Sequence, residues 1–142
     1  MVWVECPAEP SAVISQEECQ KPLDHSCIRL DLISARIKGD SRDCVWGSTS
    51  HPNIARVYYE HVTHFAVEYE LESGMASILG CVIAHEIGHL LLGPKSHYGI
   101  GIMQPRWSLP QVRQGLMGVL RFTPEQSERI RAEATRRAGS YK

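Results

Sequence analysis

The chain reads as a small α+β domain, and three observations carry that reading. Residues 27–37 begin with alternating apolar and polar side chains and stop at Gly39-Asp40, as a strand with one buried face does. No Pro interrupts the apolar stretch from Ser77 to Leu92, which runs through His85-Glu86-Ile87-Gly88-His89 and suits one continuous helix. Thr123-Pro124-Glu125-Gln126 is a helix start, with Thr as cap, Pro at the first helical position and Gln three after the cap.

Taken in order, residues 1–26 are rich in Pro, Cys and acidic groups and show no period. They are expected as a loosely ordered lead-in to a single domain over residues 27–142. Residues 27–37 form the first strand, and the turn formers of 39–53 follow it. Residues 54–59 suit a second short strand. Val57, Tyr58, Val62, Phe65, Ala66 and Tyr69 then keep a helical period, so the strand should run into a helix. Ser73-Gly74 breaks that helix, and the long apolar helix extends to about Leu92. Gly93-Pro94 stops it, Gly by accepting a left-handed cap and Pro by being unable to continue. A short helix is expected from Pro110 to Leu116 and a last one from Pro124 to about Ala138.

Composition bounds the function classes. A chain of 142 residues with 22% charged side chains and a net charge of −1 has the make-up of one soluble globular domain. Its charge gives no electrostatic reason to bind nucleic acid or a membrane surface. The apolar run around the motif is broken by His85 and Glu86 and reads as too short to span a bilayer. No basic segment followed by a long apolar stretch opens the chain, so no signal peptide is visible. Cys6, Cys19, Cys27 and Cys44 could form two disulfides in three connectivities. The absence of C-x-x-C argues against a zinc knuckle. Cys81, one helical turn before His85, reads as a small buried side chain.

His85 and His89 carry the chemistry. Four residues apart on a helix, they share a face and can chelate one Zn²⁺, their ring nitrogens ~3–3.5 Å apart as two ligands at ~2.1 Å require. Glu86 is too close to His85 to be a third ligand, but it can take a proton from a water on the metal. The plain alternative is a buried helix whose histidines are satisfied by core hydrogen bonds. Burying two histidines and a carboxylate without partners is costly, which weighs against it. A catalytic zinc keeps three protein ligands and one open position. His97, eight residues beyond His89 and just past Gly93-Pro94, is the nearest third donor.

The stretch H-E-I-G-H-L-L-L-G-P-K-S-H, followed by Gly101-Ile102-Met103-Gln104-Pro105 and Trp107, resembles the metzincin clan of zinc peptidases. More closely, it resembles small metzincin-like proteins of bacteria. The likeness is strong over residues 78–107 and weaker over 122–126. It implies a small zincin domain with a small sheet, an active-site helix, a Met-turn and a C-terminal helix. It further implies that His85, His89 and His97 hold zinc, that Glu86 is the general base and that Met103 forms an apolar turn beneath the metal. The implied activity is a zinc metalloendopeptidase acting on a peptide or protein substrate. The chain departs from the clan at one point. The third ligand usually stands six residues after the second His, a position held here by Lys95, so the loop is two residues longer.

Two alternatives stand beside this reading. A gluzincin-type site would take its third ligand from Glu128 on the last helix, yet Glu125, Glu128 and Glu133 lie among Arg129, Arg131, Arg136 and Arg137, as on a solvated helix with i,i+4 pairs. A non-proteolytic zinc-binding protein on the same fold would have no need of Glu86. Tyr98 and Arg106 are the candidates for stabilising an oxyanion. His25, His51, His61 and His64 read as surface or turn residues, and Trp107 as a lower-core side chain. The resemblance and the clustered cysteines lead us to expect a secreted or extracytoplasmic protein.

Overall fold

A computed structural model of the chain describes residue 6, residues 23–34 and residues 45–139. The expectations for most of the lead-in, for the end of the first strand and for Cys19 and Cys44 lie outside the described residues. Among the described residues three strands form one mixed sheet: β1 (Arg29–Ile33), β2 (Gly47–His51) and β3 (Ile54–Tyr58), in the order β1-β3-β2. β1 runs parallel to β3, pairing Arg29 with Ile54 and Ile33 with Tyr58. β2 runs antiparallel to β3, pairing Gly47 with Val57, and its register shifts between Thr49 and His51. Among the described residues four α-helices follow, with a 3-10 turn (Glu72–Gly74) before the second: α1 (Tyr59–Glu68), α2 (Met75–Leu92), α3 (Leu109–Leu116) and α4 (Pro124–Gly139). The α+β class is therefore the one expected.

β2 was not expected, since residues 39–53 read as turns. Its sequence, Gly-Ser-Thr-Ser-His, has no apolar alternation. It pairs because it lies at the sheet edge, where one neighbour suffices and a polar strand need bury little. The step from β3 into α1 at Tyr58–Tyr59 falls where expected. β3 places Ala55 and Val57, both fully buried, against the helices.

α2 is the central helix and packs against β2, β3, α1, α3 and α4. Ile78 and Val82 join Val57, Val62, Ala66 and Val112 in one core cluster. Leu92 joins Ile102, Met103 and Leu120 in a second. By length and mean hydropathy of 1.6, the stretch Glu72–Leu92 is apolar enough to cross a membrane, which corrects the expectation that it is too short. In the fold those apolar side chains have a simpler use, because the helix meets protein on several sides and is apolar nearly all round.

α3 opens on a capping box between Ser108 and Gln111. α4 opens on the expected one: the Thr123 amide donates to Gln126 Oε1 at 2.9 Å and the Gln126 amide to Thr123 Oγ1 at 3.2 Å. α4 is only partly the solvated helix its charges suggested. Glu133 does pair with Arg136 and Arg137. However, Arg137 turns inward, donating to the Leu90 carbonyl at 2.7 Å and to Asn53 Oδ1 at 3.2 Å. Arg129 donates to the Leu92 carbonyl at 3.2 Å. Two arginines thus supply donors to carbonyls in the last turn of α2, which lack intrahelical partners. Cys6 is disulfide-bonded, but Cys27 and Cys81 are free thiols, so the four N-terminal cysteines do not make two bridges.

Candidate metal centre

α2 carries Ile78, Val82, Glu86 and His89 as buried positions, so two polar groups lie among its buried apolar ones. His85 lies one turn before His89, half-buried. The helix stops at Gly93, whose φ of 103° and ψ of 164° belong to a region open to glycine and closed to most other residues. This is a sharper exit than the left-handed cap expected, and Pro94 and Lys95 form a turn directly after it. The chain then turns back to place His97 against the helix.

The structure brings His85, His89 and His97 together. Nε2 of His89 lies 3.1 Å from Nε2 of His85 and 3.1 Å from Nε2 of His97. Among the described residues this is the group able to offer three donor atoms to one ion, all within 4.8 Å of one another. Two nitrogens 3.1 Å apart, each ~2.1 Å from a shared ion, subtend about 95° at it, which a distorted tetrahedron accommodates.

Proton positions follow from the outer ring atoms. Nδ1 of His85 lies 2.7 Å from the Ile102 carbonyl, which can only accept, so Nδ1 carries the proton and Nε2 is bare. Ser96 Oγ donates its one proton to the Gly93 carbonyl at 2.6 Å. Its contact of 3.1 Å with His89 Nδ1 must then be accepted from the ring, so His89 Nε2 is bare as well. Two lone pairs facing each other at 3.1 Å repel unless a cation lies between them. Burial, with help from neighbouring imidazoles, keeps both rings neutral: it lowers His85 below its ordinary range and takes His89 down to about 4.

Glu86 is buried, and burial pushes its carboxyl up to about 7. It fits because residue 47 of β2 has no side chain. A Cβ at Gly47 would come within 2.5 Å of Glu86 Cγ and Oε1. Glu86 and the three histidines line a cleft of about 620 Å³, walled by Gly47, Ser48 and Thr49 of β2 and by Trp46, Phe65 and Trp107. The indoles of Trp46 and Trp107 meet edge-on at 6.0 Å, and Trp107 stands edge-on to His85 at 5.6 Å. Trp107 also donates from Nε1 to the Ile102 carbonyl at 3.2 Å, the same oxygen that holds His85. It is a wall of the cleft as well as a packing residue.

Met103 is fully buried, and a Cβ at Gly88 would come 2.6 Å from its sulfur, so it packs directly against the motif helix. Tyr98 packs in the second core cluster, while Arg106 lines the cleft. Glu128 is exposed on α4 and does not join the histidines. His25, His51 and His64 are exposed, and His61 is half-buried with Nδ1 at 2.9 Å from the Val45 carbonyl. Sequence reasoning missed Gly47, Trp46 and Ser96. Ser96 could have been noticed as the hydroxyl next to the third histidine, whereas Gly47 gave no signal because its partner is on another element. Comparison with known protein families, with curated proteins and with solved structures found no match.

Proposed function

We propose that the protein is a zinc-dependent peptidase of metzincin-like design. The carrying observation is the pair of bare Nε2 atoms on His85 and His89, aimed at one point that His97 also faces. Three imidazoles suit zinc, and the Nδ1 protons of His85 and His89 are already engaged. When bound there, zinc would polarise the scissile carbonyl and acidify an adjacent water.

The chain's own groups supply the rest. Glu86 accepts a proton at an Oε from the attacking water and delivers it to the departing amine nitrogen. Gly47 leaves the space in which that carboxyl sits. β2 is an edge strand whose residues 47–49 wall the cleft, so an extended peptide can lie along it and pair with its backbone. The aromatic wall of Trp46, Phe65 and Trp107 accepts an apolar side chain of that peptide and keeps water from one side of the reacting bond.

The test is elemental analysis of the purified protein together with cleavage of a peptide library by wild type and by Glu86→Gln. One zinc per chain in both proteins, with hydrolysis lower in the variant by about 10²–10⁴, supports the reading. Zinc-loaded wild type with no cleavage, or a variant that cleaves normally, removes it.

A further inference from the structure

We propose that Ser96 is a positioning residue which fixes the tautomer of His89 and ties the 93–97 loop to the end of α2, so that His89 and His97 are presented together. The inference rests on the metal-site reading above. Ser96 stands immediately before His97 and is 5% exposed. Its hydroxyl makes two bonds in a dry place, giving to the Gly93 carbonyl at 2.6 Å and taking from His89 Nδ1 at 3.1 Å.

The direction of these bonds is what matters. A carbonyl cannot donate, so the serine proton has one destination and the serine oxygen faces the ring as an acceptor. That locks the ring proton onto Nδ1 and leaves Nε2 free to bind a metal. A ring with its proton on Nε2 could not bind there at all. The Gly93 carbonyl also favours the Nδ1 proton but is itself held by Ser96. The same hydroxyl closes the loop across Gly93, whose amide bonds the His89 carbonyl at 3.0 Å. One group therefore orients the second ligand and sets the path of the chain that carries the third.

A serine that merely closed a loop would affect stability alone, so the test reads the ring and the metal. Histidine ¹⁵N–¹H spectra of the metal-free protein, taken at about pH 8 where imidazoles are neutral, report which nitrogen bears the proton. Wild type is expected to show His89 protonated at Nδ1, and Ser96→Ala to shift population to Nε2. Zinc affinity, measured by competition with a chelator, should fall about 10–100-fold in Ser96→Ala and be largely restored in Ser96→Thr, which keeps the hydroxyl. Wild-type His89 protonated at Nε2, or a folded Ser96→Ala with unchanged tautomer and affinity, overturns the proposal. If Ser96→Ala does not fold, the wild-type spectrum and the Thr variant still decide it. If wild type takes up no zinc, the peptidase reading fails, and the tautomer alone still shows whether Ser96 orients His89.

Discussion

Glu86→Gln should make the metal-free protein more stable at neutral and alkaline pH. Burial raises the Glu86 carboxyl from its ordinary 4.5 to about 7. Its folded value therefore lies above its unfolded one, so the folded state binds the extra proton. The stability this contributes is fully present below about pH 4.5 and is lost as pH rises through about 7. At roughly 1.4 kcal/mol per pH unit, the ionised side chain costs the folded state about 3 kcal/mol at pH 8. Water in the cleft reduces this, and about 1–3 kcal/mol is the expected range. Gln is close in size and carries no charge, so it escapes the cost while filling the same space beside Gly47.

The assay is urea unfolding of both proteins after chelation, at about pH 4 and about pH 8. The two should be nearly equal at the lower pH, with the variant ahead at the higher. The comparison has to be between variants, because His89 acts with the opposite sign. Burial lowers its pKa to about 4, so the unfolded chain protonates first and stability falls as pH drops from 6.5 towards 4. Subtracting wild type from variant removes that slope. A difference that does not change with pH, or a variant less stable at pH 8, would refute the reasoning.

Three further outcomes are expected from the cross-links around the site, and one from the cysteines. His97→Ala should weaken zinc binding sharply in chelator competition, while Glu128→Ala, at an exposed position on α4, leaves it unchanged. Gly88→Ala should lower stability by about 1–3 kcal/mol in thermal or urea unfolding, because its Cβ would overlap the Met103 sulfur at 2.6 Å and Phe122 at 3.0 Å. Arg137→Ala strips donors from the Leu90 carbonyl and Asn53 Oδ1 and should cost about 1–3 kcal/mol by the same measurement; Arg137→Lys restores only part, lacking the fork. Thiol titration of unreduced, denatured protein should find fewer than five thiols, since Cys6 is bonded; five would point to the cytosol.

Local signals made much of this fold legible. The Pro-free apolar run gave α2, the Thr123 box gave the start of α4, and the strand running into a helix at Tyr58–Tyr59 appeared as a change of period from two to about four. Each is written within a few residues of where it acts. The histidines were legible for the same reason, since the i,i+4 spacing needs only a helix. β2 was not, because an edge strand of Gly, Ser and Thr is specified by its neighbour rather than by its own apolar pattern. Arg137 was misread because its charge suggested water, while its partners, Leu90 and Asn53, lie far away in the chain.

The same distinction explains why a loop two residues longer than the resembled family's can still bring the third histidine into place. Loop closure entropy grows only slowly with length; even a doubling costs about 0.6 kcal/mol. Length is therefore a weak obstacle to ligation, and orientation is the strong one, since a donor atom must arrive with its lone pair bare and aimed. In this chain orientation is supplied from outside the motif. The Ile102 carbonyl sets His85, and that carbonyl is itself held by a second donor, Trp107 Nε1 at 3.2 Å. Ser96 sets His89 across the lengthened loop. Residues that a spacing rule treats as filler, 93–96 and 98–102, are the ones that aim the imidazoles. A histidine count at fixed intervals finds the donors; the hydrogen bonds to their outer nitrogens decide whether those donors can share one ion.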